Sequence, residues 1–76
     1  MLVVIPNYSN ITFAITGDVA PYEKQIRRFG NKPPYFASYQ EKLANMGSGF
    51  VMATRRLKEF IEFLKTYEIE YTITTL

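Results

Sequence analysis

The chain has 76 residues, of which 47% are hydrophobic and 16% aromatic, and its formal net charge at pH 7 is +2. This length predicts a single domain over residues 1–76, and the apolar content excludes a disordered chain. Cysteine and histidine are both absent, which excludes disulfides, thiolate chemistry and the most common general base and metal ligand. The mild positive charge permits contact with nucleic acid without indicating it.

The first quarter of the chain predicts two strands. Leu2–Ile5 is apolar and is followed by Pro6, so we interpret it as an edge strand. Large apolar side chains occupy every second position of residues 11–16, which is the period of a half-buried strand. Gly17 and Asp18 then end this strand.

A helix is predicted between Pro21 and Gly30. Proline is tolerated in the first turn of a helix, and glycine is typical of the position where a helix ends. Between them, Tyr22, Ile26 and Phe29 recur at the spacing of one helical face.

The middle of the chain predicts a hairpin with a long loop. Residues 31–34 have the composition of a turn because they include two prolines. The aromatic run with Tyr35, Phe36 and Tyr39 is interpreted as a short strand, and residues 50–53 are interpreted as another strand of the same hairpin.

The last third predicts a helix and then a strand. Thr54 is interpreted as the N-cap of a helix with an apolar stripe at helical spacing. The stripe comprises Leu57, Phe60, Ile61 and Leu64. In residues 69–73 the apolar positions return to period two, which predicts a strand that closes the sheet or adds an edge.

These elements together predict an α+β fold in the order β-α-β-β-α-β. The strand–helix unit occurs twice, over residues 11–30 and 50–67. Two helices on one face of a small mixed or antiparallel sheet would bury both apolar stripes.

The acidic residues do not predict a catalytic or metal site. A general acid/base pair needs two carboxylates that converge in a pocket, whereas most of the seven acidic residues fall on predicted exposed faces. Gly47-Ser48-Gly49 lacks the lysine of a phosphate-binding loop and precedes a strand rather than a helix. We therefore expect a protein that is not an enzyme and that holds no cofactor and no metal.

Two clusters of basic residues predict contact with nucleic-acid phosphates. In Thr54-Arg55-Arg56, the free N–H groups of a helix start and two guanidinium groups both favour anions. The alternative is structural, with Arg55 paired to Glu59 and Arg56 extended over the sheet. The second cluster lies on the outer side of the first helix and in the turn after it, and comprises Lys24, Arg27, Arg28 and Lys32.

The apolar ends of the chain predict contact with another protein. Residues 2–5 and 69–73 are interpreted as strands that can add to the sheet of a neighbour. The predicted interface residues are Leu2, Val4, Ile69, Tyr71 and Ile73.

Two groups of aromatic residues permit further interpretations. One group either stacks on the bases of single-stranded nucleic acid or belongs to the core, and it comprises Tyr35, Phe36, Tyr39 and Phe50. The other group is interpreted as an exposed apolar patch for a protein partner, and it comprises Phe63, Tyr67 and Tyr71.

Residues 11–64 contain six predicted elements in a fixed order. These are a strand ending in Gly-Asp, a helix ending in glycine, a Gly-x-Gly turn, an aliphatic strand, a basic turn and a second helix. The segments are Phe13-Ala14-Ile15-Thr16-Gly17-Asp18, Pro21-Tyr22-Glu23-Lys24-Gln25-Ile26, Phe29-Gly30, Gly47-Ser48-Gly49-Phe50-Val51-Met52, Thr54-Arg55-Arg56 and Glu59-Phe60-Ile61. This arrangement resembles a short domain found in proteins of large DNA viruses. The chain departs from that family at Asn31, where a second glycine is usual, at Phe50, where tryptophan is usual, and in a longer loop over residues 32–46.

The resemblance implies association with nucleic acid or with virion assembly, and no catalytic residues. We therefore predict a non-enzymatic viral accessory protein that contacts nucleic-acid phosphates. The alternative is a minor structural or assembly protein of a virion, which binds a viral or host protein or forms a homo-oligomer. The expected location is the host cytoplasm or nucleus, or the virion. No membrane partner is expected, because no apolar run approaches the roughly 20 residues that span a bilayer.

Overall fold

The computed structural model describes residues 1–30, the backbone of residues 38–40, and residues 49–75. The elements are β1 (Leu2–Ile5), β2 (Thr12–Gly17), α1 (Glu23–Gly30), β3 (Ser38–Gln40), β4 (Gly49–Ala53), α2 (Leu57–Thr66) and β5 (Tyr71–Ile73). Short 3-10 turns lead into the two helices, at Ala20–Tyr22 and Thr54–Arg56. The predicted α+β class and the order of strands and helices are confirmed, with β1 preceding the predicted pattern.

The five strands form one sheet in the order β3-β4-β2-β1-β5. β1 and β5 are parallel, and the other neighbouring strands are antiparallel, so the sheet is mixed. The prediction that Leu2–Ile5 is an edge strand was wrong, because β1 is bonded to β2 on one side and to β5 on the other. Pro6 follows the strand and therefore removes no bond from its ladder.

The main core lies between the sheet and the two helices. The helices contribute Ile26, Phe29, Phe60 and Leu64, and alternate residues of three strands face them. The strand residues are Leu2, Val4, Phe13, Ile15, Phe50 and Met52. Because the buried residues of both helices belong to this one cluster, both helices cover the same face of the sheet, as predicted. Phe50 therefore belongs to the core and is not a base-stacking residue.

Phe60 is fully buried near the middle of this core. Its ring centroid lies 5.6 Å from that of Phe13, 5.3 Å from that of Phe29 and 5.7 Å from that of Phe63. Each such pair contributes about 0.5–1.5 kcal/mol beyond the burial of its area. The aromatic residues thus hold both helices against β2.

The predicted strand at residues 11–16 is confirmed as β2, which begins at Thr12, but the prediction that it is half-buried was wrong. Residues 12–16 are all buried, whereas Ile11, which precedes β2, is 66% exposed. β2 is central, and on the face away from the helices Ala14 belongs to a second apolar cluster with Ile5 and Val51. A strand covered on both faces places even its smaller side chains in the interior.

The C-terminus of α2 closes in a Schellman motif without glycine. The N–H of Ile69 donates to the carbonyl of Leu64 at 2.9 Å, and the N–H of Glu68 donates to the carbonyl of Lys65 at 3.2 Å. Glu68 has a φ of +55°, in the left-handed region that glycine usually occupies at this position. Leu64 and Ile69 are both buried in the main core, which supplies the hydrophobic contact typical of the motif.

Replacing Glu68 by glycine should therefore raise the free energy of unfolding by about 0.5–1 kcal/mol. Glycine removes the steric cost of the left-handed conformation, and the greater conformational freedom of the unfolded chain offsets part of this gain. Urea unfolding followed by circular dichroism measures the change. Glu62→Gly, the same substitution at an exposed site within α2, should instead destabilise by roughly 1 kcal/mol. A Glu68→Gly variant that is no more stable than the wild-type protein would contradict the strain at this residue.

Candidate functional site

Arg56 is a buried structural residue, 3% exposed, in the turn before α2. Its guanidinium donates to the carbonyl oxygens of Phe29 and Gly30 at 3.2 and 3.5 Å, and to Glu59 Oε1 at 3.4 Å. The same group lies 4.4 Å from the centroid of the Phe29 ring. Arg56 therefore satisfies the last carbonyls of α1, where a cation is favourable. The prediction that it contacts phosphates was wrong, and it pairs with Glu59 in the place expected of Arg55.

Thr54 and Arg55 occupy the same turn in a different way. Ala53 is the cap residue of the 3-10 turn and Arg56 that of α2, and the Thr54 hydroxyl makes no capping bond, so the predicted N-cap was wrong. The Thr54 N–H donates to the carbonyl of Ile11 at 2.9 Å, and its buried Oγ1 has no hydrogen-bond partner in the described part of the chain. Arg55 is exposed and remains a candidate phosphate contact.

The three basic residues of α1 are all exposed. Arg27 pairs with Glu23 at 3.1 Å and lies over the ring of Phe50, 5.4 Å from its centroid. Lys24 and Arg28 are one turn apart on the exposed side of the helix. Lys32, the fourth predicted member, lies outside the described residues.

A groove of about 340 Å³ separates the outer sides of α1 and α2. Arg28 lines it together with the carboxyl-bearing Glu59 and Glu62. Phe63 and Tyr67 also line it, with ring centroids 5.0 Å apart. Two acids in the same depression oppose the charge of Arg28 and weaken its attraction for phosphate.

The predicted protein-interface residues fall into two groups. Leu2 and Val4 are fully buried and Ile69 is 5% exposed, all three within the main core, so the prediction that they form an interface was wrong. Tyr71 is half-buried, and Ile73 is 53% exposed. Both belong to β5, which is the outermost strand of the sheet on this side.

The backbone of β5 presents alternate residues to its two sides. The carbonyl of Glu70 accepts from the N–H of Leu2 at 3.2 Å, and the N–H of Thr74 donates to the carbonyl of Val4 at 2.9 Å. Residues 70, 72 and 74 therefore face β1, because bonding direction alternates along a strand. The N–H and C=O groups of Tyr71 and Ile73 point away from β1, and no described strand pairs with them. Sequence reasoning named these two residues but missed Thr72 between them, although the period of two would have placed it.

The described acidic residues do not gather into a potential metal site. No group of three or more potential metal ligands occurs within the described ranges. Asp18 accepts a hydrogen bond at 2.8 Å from the ammonium of Met1. This bond and the charge of the ammonium hold the pKa of the Asp18 carboxyl below its usual range. Asp18 is thus engaged with the residue that precedes β1.

Comparisons with protein-family models, with curated proteins and with solved structures found no match for this chain. The resemblance to a domain of large DNA viruses therefore stays a prediction. Within the described ranges, neither helix combines the length and apolarity that crossing a membrane requires.

Proposed function

We propose that this protein is a non-enzymatic interaction module that binds an extended segment of a polypeptide along the open edge of β5. The observation that carries the proposal is the outward direction of the Tyr71 and Ile73 backbone groups, which no described strand pairs. An added strand would bond to all four of these groups, each bond contributing about 0.5–1.5 kcal/mol net.

The side chains of β5 support strand addition as well. Ile73 is 53% exposed, and an incoming strand would cover part of that apolar area. Tyr71 packs against the main core, which holds this end of the strand in place. The edge is thus anchored to the core at Tyr71 and apolar at Ile73.

The sequence of β5 also lacks the residues with which proteins usually prevent an edge strand from pairing. Residues 71–75 contain neither lysine nor proline and no charged side chain. Edge strands that must stay unpaired commonly carry such residues or a bulge. Their absence here favours an edge that is used.

Replacing Ile73 by proline tests the proposal because it removes an outward N–H and costs the ladder with β1 no bond. Peptides that bind the immobilised domain would first be selected from a random library displayed on phage. The selected peptides would then be synthesised, and their affinity for the domain measured by fluorescence anisotropy. We expect them to bind Ile73→Pro about two- to tenfold more weakly, since one backbone bond of about 0.5–1.5 kcal/mol is lost. In the wild-type protein, amide exchange at Tyr71 and Ile73 should slow when peptide is bound.

Ile73→Val is the matched control, because it keeps both the N–H and a β-branched side chain. It should bind the same peptides with nearly wild-type affinity. If Ile73→Pro binds as tightly as the wild-type protein, or if the peptides protect only amides lining the groove between the helices, the β5 edge is not the binding site.

A further inference from the structure

We infer that the segment bound by β5 is β5 of a second copy of this chain, so that two copies form a two-fold symmetric dimer with one continuous sheet. This inference rests on the proposed function, because it names the partner of the same edge. It is carried by the hydrogen-bond alternation of β5 and by the order of its side chains.

The backbone groups of β5 are self-complementary in one antiparallel register. If a two-fold axis passes beside Thr72, Tyr71 of the first copy lies opposite Ile73 of the second copy. On the other side of the axis, Ile73 of the first copy lies opposite Tyr71 of the second copy. Tyr71 and Ile73 are the residues whose N–H and C=O groups point outward. Both pairs are then hydrogen-bonded pairs that exchange two bonds each. All four outward groups of each strand are satisfied.

The side chains suit this register equally well. Tyr71 and Ile73 share the face of the sheet that carries the helices, since Tyr71 packs against the main core. An aromatic residue opposite a β-branched one is a stabilising cross-strand pair, and so is threonine opposite threonine, which the axis places at Thr72. Both Thr72 and Ile73 are exposed in the single copy and are free to form these pairs.

The charges near β5 do not oppose the pairing. Residues 71–75 are uncharged, and in this register Glu70 lies opposite Thr74 of the other copy. No two carboxylates therefore face each other directly, which is the arrangement that destabilises strand pairs. The pairing through β5 is closed, because both copies use the same edge and no β5 edge remains for a third copy.

Cysteine crosslinking tests the register, since the natural chain contains no cysteine. Thr72→Cys would place two sulfurs on a pair that is not hydrogen-bonded, with Cα atoms about 4.5 Å apart, within the range of about 4.4–6.8 Å that a disulfide spans. Thr74→Cys is the matched control, because the two positions 74 would lie roughly 13 Å apart, at about 3.3 Å for each of four residues. Under mild oxidation we expect Thr72→Cys to form the disulfide dimer at least about tenfold faster than Thr74→Cys.

Charge substitutions test the equilibrium, measured by sedimentation velocity over a range of protein concentrations. Thr72→Lys would set two lysines face to face and remove the threonine pair, so we expect the dimer to weaken about tenfold. Thr74→Lys adds the same charge but sets each lysine opposite Glu70 of the other copy, so its dimer should be no weaker than that of the wild-type protein.

Three results would overturn the inference. The first is a wild-type protein that sediments as a monomer at every concentration. The second is a Thr74→Cys variant that forms the disulfide dimer as fast as Thr72→Cys. The third is a dimer that Thr72→Lys and Thr74→Lys weaken equally. The proposed function is decided separately by the Ile73→Pro titration with selected peptides. A monomer whose β5 edge still binds those peptides would retain the proposed function and exclude only the second copy as partner.

Discussion

Replacing Arg56 by alanine is expected to lower the free energy of unfolding by about 3 kcal/mol, a large share of the roughly 4–11 kcal/mol expected for a domain of this size. The substitution leaves the carbonyls of Phe29 and Gly30 without their buried donor, and unsatisfied buried acceptors are costly. It also removes the cation from the Phe29 ring, at 4.4 Å from the centroid. Urea unfolding followed by circular dichroism measures the loss.

Arg55→Ala is the matched control for this prediction. Arg55 is the exposed neighbour in the same turn, and its removal should change stability by no more than about 0.5 kcal/mol. Each variant would also be titrated against a labelled random DNA duplex at about 50 and 200 mM salt, the range over which phosphate contacts lose affinity. If Arg56→Ala keeps wild-type stability but loses salt-sensitive DNA binding, Arg56 is a phosphate contact and its role at the end of α1 is wrong.

Replacing Gly17 by alanine is expected to cost about 2–3 kcal/mol. Gly17 ends β2 with a φ of +83°, where a residue with a side chain is disfavoured by roughly 1–2 kcal/mol. A Cβ there would also lie 2.7 Å from the Met1 carbonyl oxygen and 3.1 Å from Val3 Cγ2. The carbonyl cannot move away freely, because it accepts a bond from the Asp18 N–H at 3.2 Å. Thermal and urea unfolding both measure the loss.

Gly17→Asn separates the two contributions to this loss. Asparagine enters the left-handed region more readily than alanine but carries the same Cβ, so Gly17→Asn should be less destabilising than Gly17→Ala and still less stable than the wild-type protein. Wild-type stability in Gly17→Ala would show that β1 and β2 do not meet at Gly17 as the register of their pairing requires.

The candidate site was only partly predictable from the sequence. The period of two in residues 69–73 identified Tyr71 and Ile73 as strand residues, and both lie on the open edge. The same period did not show that Tyr71 and Ile73 lie on an open edge whereas Leu2 and Val4 are buried in the core. Central and outer strands can carry the same alternation of apolar residues. Arg55 and Arg56 were equally indistinguishable, since adjacent residues in a turn differ in burial only through what packs against them.

The sequence by itself determined the two helices, the strands and the side of each helix that is buried. These features depend on the spacing of side chains along a local backbone, with a period of 3.6 in helices and 2 in strands. Only the tertiary structure decided that β1 is central, that β5 is the open edge and that Arg56 ends α1. Each of these depends on partners far away in the chain, such as Leu2 beside Tyr71 and Arg56 beside Phe29. Such pairs are chosen by the packing of the whole domain, which no local pattern encodes.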